Sequence, residues 1–297
     1  MPVYNGARFL PAQLDSLSEQ TYVDWQVLIS DDGSTDDSRA VLETFITANA
    51  DKAHLFDGPQ NGISANIFSL LARVDPQTKF VAFCDQDDIW HPDRLARACK
   101  IVAKTDAPSL YCSRTNLVDA RGVFLRLSPP RARPPLFQNA LVQNIASGNT
   151  MVLNQAGWHL LRDQINAAQG VAYHDWWAYQ LVSGAGGTVF HDDEPSLDYR
   201  QHTTNALGSA IGLPGRWRRL LRVSNRALSI DTSKNLVALQ RSRAALSAEC
   251  AAQLDCVTSL HDKGPFGRLR GVIAAGLYRQ SRVSTLGLWF AALIGRF

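Results

Sequence analysis

Cysteine is scarce and unpaired in this chain of 297 residues. There are five, Cys84, Cys99, Cys112, Cys250 and Cys256. An odd number with no CxxC spacing excludes a fully paired disulfide framework and the common zinc knuckles, so reduced, buried thiols in a reducing compartment are expected. The opening Met1-Pro2-Val3-Tyr4-Asn5-Gly6 has neither a basic stretch nor an apolar run, so no secretory leader is expected and the catalytic part is assigned to the cytoplasm. Long apolar runs are missing too. The ending STLGLWFAALIGRF has about a dozen residues, short of the roughly 20 that span a bilayer. With 19% charged and 45% hydrophobic residues, the chain has room for a real core in one large α/β domain or two small ones.

Acidic residues are what the C-terminal part lacks. Residues 209–297 hold 14 Lys/Arg against 4 Asp/Glu, and residues 1–208 hold 16 against 23, so the formal net charge of +3 hides an acidic body and a basic end. An acidic body suits a metal or a hydroxyl-rich substrate, and a basic end suits phosphate, nucleic acid or an anionic membrane surface. The basic residues form no recognisable nucleic-acid module, so nucleic acid is not expected as a partner.

What is present is an alternation of short apolar strands and amphipathic helices. Strands are predicted over 25–30, 54–56, 80–84, 110–113, 151–153 and 187–190, and helices over 9–19, 34–49, 63–72 and 92–103. A β-α-β-α-β order implies a parallel sheet with crossover helices, in which ligands bind beyond the carboxyl ends of strands. Two acidic motifs stand at such ends. In LISDDGSTDDS, Asp31 and Asp32 follow a strand and can accept from a nucleobase or from ribose hydroxyls, Gly33 allows a sharp turn, and Ser34 is a plausible N-cap; the same cluster also fits a plain capping role. In FVAFCDQDDIW, alternation along an extended chain puts Asp85 and Asp87 on one side. Like charges this close call for a cation, and hard oxygen ligands suit Mg²⁺ or Mn²⁺; a solvated acidic turn is the alternative.

These motifs, together with MPVYNG, NGISANIFSLL, SGNTMVLNQAG, HDWW and YRQHTTNALG in that order, resemble family 2 glycosyltransferases of the glycosyltransferase A fold, most closely the bacterial rhamnosyltransferase-like members. The resemblance covers roughly residues 1–208. It implies an α/β fold: a mostly parallel, Rossmann-like nucleotide-binding sheet flanked by helices, here with a helical C-terminal extension over 209–297. It further implies an inverting, metal-dependent transfer of a sugar, rhamnose being one candidate, from a dTDP- or UDP-sugar to a glycan or lipid-linked acceptor of bacterial surface polysaccharide. Pro2, Tyr4, Asn5, Asp31, Asp32 and Asn61 would line the nucleotide pocket. Asp85 would face the ribose or a metal-bound water, Asp87 would be the principal metal ligand, and His202 a further one. Arg200, His174 and Gln201 are weaker candidates for the diphosphate or acceptor, and Arg200 could instead pair with Asp192-Asp193-Glu194. Asp175 is the expected general base, with Trp176 and Trp177 able either to stack on a sugar or to serve as core, in which case Asp175 would be a cap. A non-catalytic nucleotide- or glycan-binding homologue, acting as a subunit of a membrane assembly, is the alternative.

Beyond residue 208 the segment LPGRWRRLLRVSNRAL reads as a basic amphipathic helix. It suits peripheral attachment to the inner face of the cytoplasmic membrane, or packing on the catalytic domain.

Overall fold

The computed structural model describes residues 1–202 and 226–296. Three parallel strands open the chain: β1 (Pro2–Val3), β2 (Val27–Asp31) and β3 (Ala53–Asp57), in spatial order 1-2-3. They alternate with helices α1 (Leu10–Ser18), α2 (Ser38–Ala48) and α3 (Gly62–Leu71). A second sheet runs β10-β6-β9-β4, from β4 (Phe80–Ala82), β6 (Ser109–Ser113), β9 (Val152–Asn154) and β10 (Thr188–Asp192). Here β6 and β10 are parallel, but β9 runs antiparallel to both its neighbours, which the expectation of a parallel sheet did not foresee strand by strand. A small third sheet, β5-β11-β7-β8, combines β5 (Ile89–Trp90), β7 (Asn116–Val118), β8 (Phe124–Leu127) and β11 (Leu197–Arg200).

Local chemistry sets several boundaries. Asn154 ends β9 and caps α6 (Gln155–Asp163), its side-chain oxygen accepting from Gly157 N at 2.9 Å and from Ser109 N at 2.9 Å, so one amide ties β6, β9 and α6 together. Ser34 does not cap α2, which starts four residues later. Its hydroxyl donates to Asp31 and accepts from Asn5 N, and the competition from these loop partners keeps 34–37 out of the helix. The strand predicted over 80–84 stops at Ala82, and the chain bends at Gln86 and Asp87 before β5.

The principal core lies under β6 and β9. Met151, Trp158, Leu161, Trp177 and Leu181 are fully buried there, and the C-terminal helices enter the same cluster through Leu239, Leu254, Val272 and Leu288. These come from α8 (Arg226–Arg241), α9 (Ala248–Thr258), α10 (Pro265–Ala274) and α11 (Arg282–Leu293), with α4 (Arg94–Val102), α5 (Phe137–Ala140) and α7 (His174–Gly184) preceding them in the chain. The basic helix predicted over 213–228, like the boundary near 208, falls almost wholly outside the described residues. No helix among the described residues is long and apolar enough to cross a membrane. Cys84, Cys99 and Cys112 are buried, Cys250 is half-buried and Cys256 is exposed, all as free thiols. A cavity of about 640 Å³ is lined by β2 and β4 with Trp25, Leu71 and Cys84, and none of the acidic groups described next lines it.

Candidate active site

The carboxyl ends of β1 and β2 lie side by side, Val3 opposite Asp31, so the loops that leave them are stitched together. Asn5 N donates to Ser34 Oγ, Thr35 N to Asn5 Oδ1, Gly6 N to Ser38 Oγ and Ala7 N to Asp36 Oδ2, all within 2.8–3.1 Å. Asn5 sits at φ 47, a left-handed conformation that asparagine tolerates. Tyr4 and Asn5 project into solvent beside Asp31 and Asp32, while Pro2 is buried in β1 beneath them. Asp31 is buried near Arg39, at 3.7 Å. Asp32 accepts from Gln60 N at 2.7 Å and crowds Gly58, where a Cβ would come within 2.5 Å of its Oδ1. Asn61 follows, exposed at the start of α3 with no cap bond from its side chain. Of the six residues expected at the nucleotide pocket, Tyr4, Asn5 and Asn61 are exposed, Asp32 is half-buried, and Pro2 and Asp31 are buried.

The acidic motif closes the other side. Gln86 reaches back to Tyr4, accepting from its N–H at 2.8 Å and donating to its carbonyl at 3.1 Å, which clamps this loop to the first one. A Cβ at Gly6 would lie 2.5 Å from Gln86 Oε1, so a side chain there would displace this clamp. Burial, then the charges of Asp87 and Asp175, push Asp85 up to about 7. Asp87 meets His202 Nε2 at 2.7 Å, and its carbonyl accepts from Arg200 Nε at 3.0 Å. His202 stacks on Phe9, with ring centroids 4.8 Å apart, and the Arg200 guanidinium lies over the same ring. Asp85, Gln86 and Asp87 lie beyond the strand, so strand alternation does not set where Asp85 and Asp87 point, and Asp87 is taken up by His202.

Asp88 is fully buried and held by Asn149 Nδ2 at 2.6 Å. Burial first, then Asp85 and Asp87, raise it well above the usual carboxylate range. Arg94 is a buried cation of the same region, which feels the charges of Asp88 and Asp85 without pairing with either. It is fully buried over the Trp90 ring, 3.9 Å from its centroid, donates to Phe83 O and Ser196 Oγ, and burial brings it down to about 10.

Asp175 opens α7 and faces this cluster. Its carboxylate accepts from Asn144 Nδ2 at 2.9 Å, Gly148 N at 3.2 Å and Trp176 N at 2.7 Å. His174 is buried beside it against Phe83, and burial holds its imidazole below the ordinary value. Trp176 and Trp177 are core, not sugar platforms: Trp176 Nε1 donates to Ala140 O at 2.6 Å, and Trp177 is fully buried edge-on to Phe68. The acidic run 192–194 is engaged by Arg97, which meets Asp192 at 3.0 Å and Glu194 at 3.3 Å, while Arg200 turns to the Asp87 backbone. Gln86, Arg94, Asn144 and Asn149 were not singled out from the sequence. Gln86 and Asn149 stood inside quoted motifs, and Arg94 was the first cation after the acidic cluster.

Among the described residues no three or more His, Cys, Asp or Glu gather closely enough to hold a metal ion by themselves. Of the expected ligands, Asp87 and His202 meet at 2.7 Å, and this pair could supply part of the shell of a Mg²⁺ or Mn²⁺ ion that takes the rest from water and phosphate.

The sequence profile of glycosyl transferase family 2 matches residues 1–160. The chain belongs to that family. It is 27% identical over 252 residues to the dTDP-rhamnosyl transferase RfbG of Shigella flexneri, covering 79% of this chain and 82% of that one. It is 28% identical over 156 residues to the Escherichia coli UDP-Glc:alpha-D-GlcNAc-diphosphoundecaprenol beta-1,3-glucosyltransferase WfgD, covering 52% and 58%. Among solved structures, residues 1–349 of Staphylococcus aureus TarS superpose with TM-score 0.56 at 16% identity, covering 99% of this chain and 86% of that one. The glycosyltransferase is therefore of the glycosyltransferase A fold, and the loops at the ends of β1, β2 and β4 frame its candidate active site.

Proposed function

We propose that this glycosyltransferase moves a hexose, with rhamnose as the first candidate, from a dTDP- or UDP-sugar to a glycan or lipid-linked acceptor, inverting the anomeric centre. It would act on the cytoplasmic side, in bacterial surface polysaccharide synthesis. The names of the Shigella and Escherichia relatives support the donor and acceptor classes. The observation that carries the reading is the turn at Gly148-Asn149, which donates to Asp175 through Gly148 N and to Asp88 through Asn149 Nδ2 and so ties Asp175 to the acidic segment. Tyr4, Asn5, Asp31, Asp32 and Asn61 would receive the nucleoside, and Arg200 would support the diphosphate side through its hold on Asp87. Asp85, Asp87 and His202 would hold Mg²⁺ or Mn²⁺, which when bound supplies positive charge against the leaving diphosphate. Asp175 would take the proton from the acceptor hydroxyl as that oxygen bonds to the anomeric carbon and the carbon–oxygen bond to the nucleoside diphosphate breaks.

Asp175→Asn tests this. Turnover with a screened nucleotide sugar should fall by about 10² to 10⁴, with donor affinity and melting temperature nearly unchanged. A variant that melts lower but turns over normally would reduce Asp175 to a cap of α7.

A further inference from the structure

Helices α10 and α11 pack against each other and present their inner sides, Val272, Leu288 and Ala292, to the core. Their outer sides are apolar as well. Phe266 is 76% exposed, Val283 74% and Phe290 62%, with Ile273, Leu286 and Ile294 also exposed. On α11, Val283, Leu286 and Phe290 follow one another at helical spacing, so they form one stripe. Residues 262–297 carry six Lys/Arg against the single acid Asp262, and Lys263, Arg270 and Arg282 are exposed on or just before these two helices. A second copy of this chain docked face to face would set cation against cation. An anionic lipid surface matches both the apolar stripe and the charge. The twelve residues of α11 extend about 18 Å, well short of a bilayer core of about 30 Å, so the helices would lie in the interface.

The turn between the two helices is bolted to the catalytic wall. Tyr278 donates its hydroxyl to Pro134 O and accepts at its carbonyl from Asn139 Nδ2 at 2.9 Å. Gln280 both donates to Arg133 O and accepts from Arg133 N, and Arg133 lies over the Tyr278 ring. The same stretch continues through α5 to Asn144, which holds Asp175. A surface that seats this hairpin therefore also orients the proposed base.

We infer that the outer face of the α10–α11 hairpin is a seat on an anionic bilayer, with Phe266, Leu286 and Phe290 entering the headgroup boundary. This deepens the proposal of a lipid-linked acceptor and rests on it only for its purpose. The full chain should sediment with phosphatidylcholine vesicles containing phosphatidylglycerol, and far less with phosphatidylcholine alone. Combined Phe266→Gln, Leu286→Gln and Phe290→Gln, or Arg270→Gln with Arg282→Gln, should lower vesicle affinity about tenfold or more. Melting temperature and transfer to a water-soluble acceptor should stay as in the parent, and Phe266→Gln alone, at the most exposed position, serves where the triple variant melts early. Absence of vesicle binding by the parent would overturn the inference. So would variants that bind like the parent, or binding that depends only on Arg216, Arg218, Arg219 and Arg222. Hairpin-dependent binding by a chain that transfers no sugar would refute the proposed function and leave the seat standing.

Discussion

Asp87 is where the residue-scale chemistry is most exposed to test. Its carboxylate is shared with His202 at 2.7 Å, and its backbone carbonyl is held by Arg200, so substituting the side chain leaves the loop anchored. Asp87→Asn should nearly abolish transfer and weaken nucleotide binding in Mn²⁺ while the melting temperature holds; chelator-resistant activity in the parent would defeat the assignment. Asp85 is a different carboxylate, because burial and two like charges keep it protonated up to about pH 7 in the free protein. Asp85 and Asp87 stood out in the sequence, since strand ends followed by Asp pairs are a local pattern, whereas His202 and Arg200 were named through the family resemblance. The supports of these groups were not legible. Gln86 clamps Tyr4 across 82 positions and Asn149 holds Asp88 across 61, and no local periodicity encodes partners that far apart.

At the scale of elements, β5 and β11 are joined beside the site by His91, whose Nε2 meets Asp198 at 2.9 Å while Nδ1 faces Pro195 O. The bond to Asp198 raises His91. Burial opposes the shift at Asp198, but its bonds from His91 and Asn116 leave it lowered. A raised histidine stabilises the fold fully below its unfolded value and loses that effect as pH rises through its folded value. A lowered aspartate stabilises above its unfolded value and loses that effect as pH falls through its folded one. The pair therefore contributes most between about pH 4 and 6.5. Both side chains are partly exposed, so the contribution is under about 1 kcal/mol. His91→Gln should destabilise the protein by that order near pH 5.5 and by less near pH 8.5, as denaturant midpoints would register; an equal loss at both would mean that the ion pair is not what joins these strands. Most elements were foreseen because their apolar periodicity is local. The antiparallel course of β9 was not, because three residues, Val152–Asn154, carry the same pattern in either direction. The third sheet was missed for a similar reason: β5 has two residues and β7 three, too few to show an alternation.

At the scale of the whole molecule, the core under β6 and β9 is shared with the C-terminal helices, whereas the first sheet and the inner side of α4 pack on clusters of their own, so the tail should open together with the second sheet. The cysteines make that sharing measurable, because they are distributed over both parts. Burial pushes Cys84 and Cys112 up to about 12 and Cys99 to about 11, which leaves almost no thiolate to react, whereas Cys256 on α9 is exposed. A thiol reagent should therefore modify Cys256 first and reach the three buried sites in the body only as fast as the core around each one opens. Leu254→Ala, which removes a fully buried side chain from α9 at a cost of about 2–5 kcal/mol, should then speed the labelling of Cys112, which shares its core, although Cys112 lies on no C-terminal helix. A Cys112 rate unchanged by the substitution would mean that the two parts open independently. In this chain the clock that times the opening of each core is an unreactive sulfur atom.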